Sequence, residues 1–274
     1  MRWSKLYRLL QGALVPCLVL GLWQWLGASG LVNPLILPSP LAVAKKWFEY
    51  LSPLEPFDPT KSGYLAWLVS GELLRDASAS LHRVVSGFLI GAGLALPLGL
   101  FMGASDNVYK LFNPLIQVLR PIPPIAFIPL AILWFGLGNP PAVFLITIGA
   151  FFPVLMNTIA GVRHVDAIYI RAAESLGANR RTLFLRVMLP ASSPYILAGA
   201  RIGMGTAFIV VIVAEMIAVN SGLGYRILEA REFFWSDKII AGMFTIGLLG
   251  LAIDSGMSRL NSWLLKWHRG IEHR

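Results

Sequence analysis

Three ionisable residues, Arg120, Glu215 and Asp254, stand in or near long runs of apolar sequence. A charge in such a setting is costly, and proteins keep it to bind an ion, relay a proton or pair inside the fold. Arg120 lies beside Pro121, Pro123 and Pro124, where interrupted backbone and a guanidinium together suit an anion path; the same side chain can equally snorkel to an interface or cap carbonyls. Glu215 and Asn220, near the end of another run, suit a gate or hydrogen bonds between helices, and Asp254 suits an internal partner. The three are few and unclustered. Neither Glu215 nor Asp254 has a second carboxylate or histidine at a spacing that serves acid–base catalysis, which argues against a membrane enzyme. The absence of an inverted repeat argues against an ion-coupled secondary transporter.

Other chemistries are missing. His82, His164, His268 and His273 have no metal-ligand spacing, and Cys17 alone rules out an intrachain disulfide. No Gly-x-x-x-x-Gly-Lys-Ser/Thr occurs, so the chain builds no P-loop for nucleotide phosphates. No cofactor or metal site is expected in it.

The elements that must carry these residues follow from composition. With 56% hydrophobic and only 14% charged residues, the chain holds more apolar surface than a soluble domain can bury. The net charge of +9 is spread through short segments between apolar runs, so it reads as a topology signal and not as a nucleic-acid surface. Six runs are long enough to span a bilayer: 10–28, 82–104, 114–137, 141–162, 191–219 and 239–260, the last extending towards Trp267. The third contains Pro121, Pro123, Pro124 and Pro129 and should be broken or sharply kinked. The first, led by Arg2, Lys5 and Arg8, has the outline of a signal peptide, but Pro16, Trp23 and Trp25 suit a retained helix better. Of the 23 Lys and Arg, 13 fall on the side of the N-terminus, seven on the opposite side and three at or within spans. This bias places both termini, and the segment 163–190, in the cytoplasm. The extracytoplasmic segments 29–77 and 220–238 are too short to be domains, so residues 1–274 read as one transmembrane domain, with a short amphipathic stretch at 41–51.

Gly87, Gly91, Ala95, Gly99 and Gly103 recur every four residues, and Gly199, Gly203 and Ala207 repeat the device; such ridges admit a second helix of the same chain or of another copy.

The segment 163–190 divides into a helix, a bend and a helix. Asp166 is suited to cap a helix over 167–176, Gly177 to end it, and Asn179 to cap a second short helix that stops before Pro190. Its small and apolar residues beside a cluster of arginines suit a partner's cleft. The segment resembles the signature of inner-membrane subunits of binding-protein-dependent ABC importers: Glu-Ala-Ala, three residues, Gly, nine residues, then Ile-x-Leu-Pro. Ala172, Ala173, Gly177, Leu189 and Pro190 are in register, with Val187 for the isoleucine, and Glu174 and Ala178 lie within the motif. Arg171 replaces the leading glutamate, so it pairs either with Glu174 or with an acidic residue of a partner. Arg-Ala-Ala is similar to the taurine, sulfonate and nitrate branch of that family. So are Leu35-Ile36-Leu37-Pro38-Ser39-Pro40, Arg120-Pro121-Ile122-Pro123-Pro124-Ile125-Ala126, Leu133-Trp134-Phe135-Gly136-Leu137-Gly138, Ala214-Glu215-Met216-Ile217 and Gly222-Leu223-Gly224.

The resemblance implies an all-α polytopic fold of the type I importer permease kind, in a bacterial inner membrane, with 163–190 as the coupling segment. It implies a second copy of the permease, two ATPase subunits that bind ATP and Mg, and an extracytoplasmic solute-binding protein. The solute would be taurine or another alkanesulfonate, with nitrate or bicarbonate next.

Overall fold

The structure is a computed structural model that describes the backbone of residues 2–53, 55–57, 63, 64, 67 and 70–266. Lys61, Trp267, His268, Arg269, His273 and Arg274 lie outside the described residues, as do the side chains of Arg2, Lys5 and Arg8. The described elements are helical: α1 (Arg2–Ala28), α2 (Pro40–Leu51), α3 (Glu72–Ala104), α4 (Asp106–Leu119), a 3-10 turn (Pro124–Phe127) leading into α5 (Ile128–Phe135), α6 (Asn139–Arg163), α7 (Ala167–Ser175), α8 (Arg180–Leu183), a π-helical turn (Phe184–Met188), α9 (Leu189–Ala218), α10 (Leu223–Glu232) and α11 (Ser236–Leu264). Among the described residues, Glu72–Ala104, Asn139–Arg163, Arg180–Ala218 and Ser236–Leu264 are long and apolar enough to cross a membrane. The prolines break the expected third span as their missing donors require: Asp106–Leu119 and Pro124–Phe135 meet at 81°, and counted together they make a fifth crossing. The apolar stretch of α1, Leu14–Ala28, is shorter, and Leu14, Leu18 and Leu22 on it are exposed.

The chain forms two compact units. The larger, Ser78–Gly224 with Leu248–Arg274, holds the main core, in which α6 packs between α3 and α9. Glycine contacts give the register. A Cβ on Gly87, Gly99 or Gly103 would meet Ile146, Thr158 or Val162 at 2.5–2.8 Å, so α3 and α6 run parallel with residue numbers rising together. A Cβ on Gly199 would meet Asn157 at 2.5 Å, and one on Gly203 would meet Val154 at 2.9 Å, while Gly149 faces Val210; α9 therefore runs antiparallel to α6. The small-residue ridges thus serve contacts between helices of one chain. Thr158 and Asn157 each donate to a carbonyl one turn back, of Val154 and Pro153.

The smaller unit, Met1–Ala77 with Tyr225–Gly247, contains α1 and α2. Ser39 caps α2, the expected amphipathic stretch, by accepting from the Ala42 N–H, and Trp23 ties α1 to the carbonyl of Pro38. Arg226 joins Glu72, Asp76 and Glu229.

Two boundaries differ from the expectation. The second span begins ten residues before His82, because Arg226 neutralises Glu72 and Asp76 and lets three polar turns stay helical. Pro190 does not end a helix: the chain is helical from Arg180 to Ala218. The π turn explains this. Leu189 donates to the carbonyl of Phe184, five residues back, and the widened ladder tolerates a proline that would clash in a regular helix.

The seam predicts a contrast between neighbouring glycines on α3. Gly91→Ala would push a methyl to 2.6 Å from the Thr147 carbonyl oxygen, whereas Gly93 has open space. In thermal unfolding of the detergent-purified chain, Gly91→Ala should cost about 1–3 kcal/mol by overpacking, and Gly93→Ala should be neutral or stabilise by up to about 1 kcal/mol through helix propensity.

Candidate functional site

The segment between α6 and α9 is built by local rules that its sequence carries. Arg163, the last residue of α6, pairs with Asp106 and stacks its guanidinium 4.1 Å from the Tyr109 ring, tying the exit of α6 to the start of α4. Asp166 then accepts from the Ile168 N–H at 2.8 Å and opens α7. The helix ends in a Schellman motif: Ala178 N–H donates to the Ala173 carbonyl at 3.0 Å and Gly177 N–H to the Glu174 carbonyl at 2.9 Å. This closure needs a residue in the left-handed region, and Gly177 has φ +77°. The spacing from Ala173 to Gly177 is therefore the geometry of the bend itself. Asn179 caps α8 by accepting from the Thr182 N–H at 2.8 Å. Leu189 and Pro190 stand beyond the π turn, at the start of α9.

Besides its charged residues, α7 presents apolar side chains outward. Ile168 and Tyr169 are exposed, Leu176 is 89% exposed, and Ala172 is exposed beside them. Arg171 turns back to the Ala167 carbonyl at 3.3 Å, and among the described residues it forms no ion pair with Glu174. The intrachain alternative for Arg171 is thus not realised, and its charge and that of Glu174 are both left on the surface.

The broken third span borders a cavity of about 380 Å³ lined by Arg120, Pro124, Gly149, Met156, Asn157 and Thr206 among others. Arg120 is exposed, and its guanidinium makes no hydrogen bond or ion pair among the described residues. Pro123 lies in the break without lining this cavity.

Glu215 and Asn220 are placed elsewhere. Glu215 is wholly buried: its Oε1 accepts from Arg83 Nη1 at 2.5 Å, and its Oε2 from Ser80 Oγ at 2.8 Å and the Gly224 N–H at 3.0 Å. Arg83 also donates to Asn139 Oδ1 and to the carbonyl and hydroxyl of Ser221. The network joins α3, the start of α6, the end of α9 and the turn after it. A Cβ on Gly222 would lie 2.4 Å from the Glu215 carboxyl, so only glycine closes over it. Asn220 is exposed, and the network takes Ser221 in its place. Glu215 is therefore committed to an internal clamp and does not line the Arg120 cavity. Arg83 stands at the start of the apolar run 82–104, and the sequence alone gives it no role; an arginine within the first polar turns of a spanning helix is the signal that points to it. The partner expected for Asp254 is Arg201.

The sequence matches the family of binding-protein-dependent transport system inner membrane components over residues 95–267. A chain of Methanocaldococcus jannaschii that carries the name of an ABC transporter permease is 42% identical, covering 93% of this chain and 91% of its own length. The taurine transport system permease of Escherichia coli is 34% identical over 93% of this chain and 88% of its own. The nitrate import permease of Synechococcus elongatus is 33% identical over 91% and 87%. In fold, the chain is similar to the inward-facing methionine ABC transporter MetNI, with a TM-score of 0.62 at 20% identity over 70% of this chain and 95% of that one.

The clamp yields a prediction about stability. Arg83→Met strands a buried carboxylate and should cost about 3–5 kcal/mol, while Arg83→Met with Glu215→Met, which removes both charges, should recover most of that loss. Denaturant unfolding in detergent measures both, and a double variant no more stable than Arg83→Met would contradict the pairing.

Proposed function

The chain belongs to the family of binding-protein-dependent transport system inner membrane components, the permease subunits of ABC importers, and from that premise we propose that it passes a small anion, taurine or another alkanesulfonate first and nitrate or bicarbonate next. It works as a pair with a second copy in a bacterial inner membrane, both termini in the cytoplasm. Two separate ATPase subunits, which bind ATP and Mg, drive it, and an extracytoplasmic solute-binding protein delivers the anion.

The observation that carries the proposal is α7: a capped, rigidly closed helix whose Ile168, Tyr169 and Leu176 are left in contact with solvent. A helix with an apolar outward face fits a groove on a partner. Ala172, Ala173 and Ala178 permit close approach, Gly177 sets the bend, and Arg171 and Glu174 supply a charge pattern for the ATPase surface to read. Because α7 lies between α6 and α9 in the chain, displacement of α7 acts on the two helices at the centre of the core. Leu189 and Pro190, next to the π turn, are where that displacement enters α9.

The anion is supported by the names of the relatives and by Arg120, an unpaired guanidinium on a cavity at the proline break. A guanidinium offers paired donors that match two oxygens of a sulfonate or nitrate. Pro123 and Pro124 hold that backbone open. Secondary transport is not favoured, since Glu215 and Asp254 are each bound to an arginine.

Two measurements test this. Arg171→Glu, Ala172→Trp and Gly177→Val should each lower ATP-driven uptake, the last because a branched residue in the left-handed region costs about 1–2 kcal/mol, equivalent to roughly tenfold in docking; normal transport by all three would sink the docking role. Calorimetric binding of taurine, nitrate and bicarbonate to the cognate solute-binding protein should rank taurine first.

A further inference from the structure

Arg201 lies twelve residues into α9, about 18 Å along a spanning helix, and Asp254 lies ten residues from the end of α11. Arg201 Nε and Nη2 donate to Asp254 Oδ1 and Oδ2, both at 2.7 Å. This is the bidentate fork that guanidinium makes with any two suitably spaced oxygens. Yet the two side chains remain 45% and 55% exposed. Charges at that depth do not stay open to hydrocarbon, so the face meets water or protein.

The surroundings favour water. A cavity of about 560 Å³ is lined by Pro194, Ala198, Arg201, Ile202, Asp254 and Asn261. A second, of about 620 Å³, continues from Asp254 past Ser255, Ser258 and Arg259. Along α11, Asp254, Ser258, Asn261 and Ser262 recur at helical spacing and make a polar stripe. Asn261 gives its N–H to the Leu197 carbonyl, holding its polar side chain at the wall of that cavity. Ile202 lines both the Arg201–Asp254 cavity and the Arg120 cavity, so a single side chain is common to their walls.

We propose that Arg201 and Asp254 form a second anion station on the aqueous path, reached from Arg120 past Ile202. There an alkanesulfonate displaces the Asp254 carboxylate from the Arg201 guanidinium and is released when the carboxylate returns. A carboxylate competing for the same fork makes binding transient. No bond is broken, and the pair begins and ends the cycle in the same charge state. The inference rests on the reading of the solute as a small anion.

The test uses the complete importer, with its ATPase and binding protein, in a Cys17→Ser background that removes the natural thiol. Ala198→Cys then places a thiol on the cavity wall for reaction with 2-sulfonatoethyl methanethiosulfonate, itself an alkanesulfonate, and with its trimethylammonium counterpart. The anionic reagent should react about tenfold faster when Asp254→Asn is added and about tenfold slower with Arg201→Gln, with the cationic reagent responding in the opposite sense. Saturating taurine should slow the reaction. Because each single change leaves one charge unpaired, Arg201→Gln with Asp254→Asn serves as the neutral reference and should abolish the difference between reagents. A thiol inert to both reagents, or one whose rates neither variant changes, would overturn the station while leaving taurine uptake as evidence for the function. The charge pattern without any taurine uptake would uphold the station and count against taurine as the solute.

Discussion

Hydrocarbon offers no hydrogen-bond partner, and this constraint governs nearly every feature of the chain. Each polar group at membrane depth must be answered by protein or by water. Glu215 is answered by Arg83, Ser80 and Gly224, so a fully buried carboxylate becomes a joint between helices. The freed backbone at Pro121, Pro123 and Pro124 is answered by a sharp bend beside a cavity, with Arg120 as the charge it presents. Arg201 and Asp254 answer one another but keep an open side. The first arrangement is closed and structural. The other two are open to cavities.

The packing that carries these sites depends on the absence of side chains. In lipid, helices gain little from hiding apolar surface, and close van der Waals contact does more of the work. Gly87, Gly91, Gly99 and Gly103 bring α3 against α6; Gly149, Gly161, Gly199 and Gly203 bring α9 against its other side. A frame so tightly fitted transmits displacement, since side chains with no free volume must move together. The segment from Asp166 to Leu189 leaves this frame from one of its members and re-enters at another. Its caps and Schellman closure fix its shape, and among the described residues the π turn at Phe184–Met188 is the place where the helical ladder is widened.

How much of this was legible depended on range. Spans follow from composition over about twenty residues, and the break follows from proline chemistry over four. Asp166, Asn179 and Gly177 act on groups within five residues, so their roles could be read directly and the structure bears them out. The clamp could not be read in this way. Arg83 and Glu215 are 132 residues apart, and nothing near either residue names the other. The choice of Ser221 over Asn220 depends on the path of a turn closing over Gly222, again set by tertiary contact. Pro190 misled because the ordinary rule assumes a regular ladder, which the π turn relaxes. Arg171 and Glu174 stand at helical spacing for an ion pair, but the guanidinium bonds to a backbone carbonyl and both charges stay outward.

The central claim is that this chain opens an anion path under the control of ATP hydrolysed elsewhere. It is tested most directly by reconstituting permease, ATPase and binding protein in liposomes and following labelled taurine on both energy sources. Uptake that requires ATP on the ATPase side, stops with vanadate and ignores a proton uncoupler is the predicted result. Accumulation driven by an imposed proton or sodium gradient in the absence of ATP would contradict it.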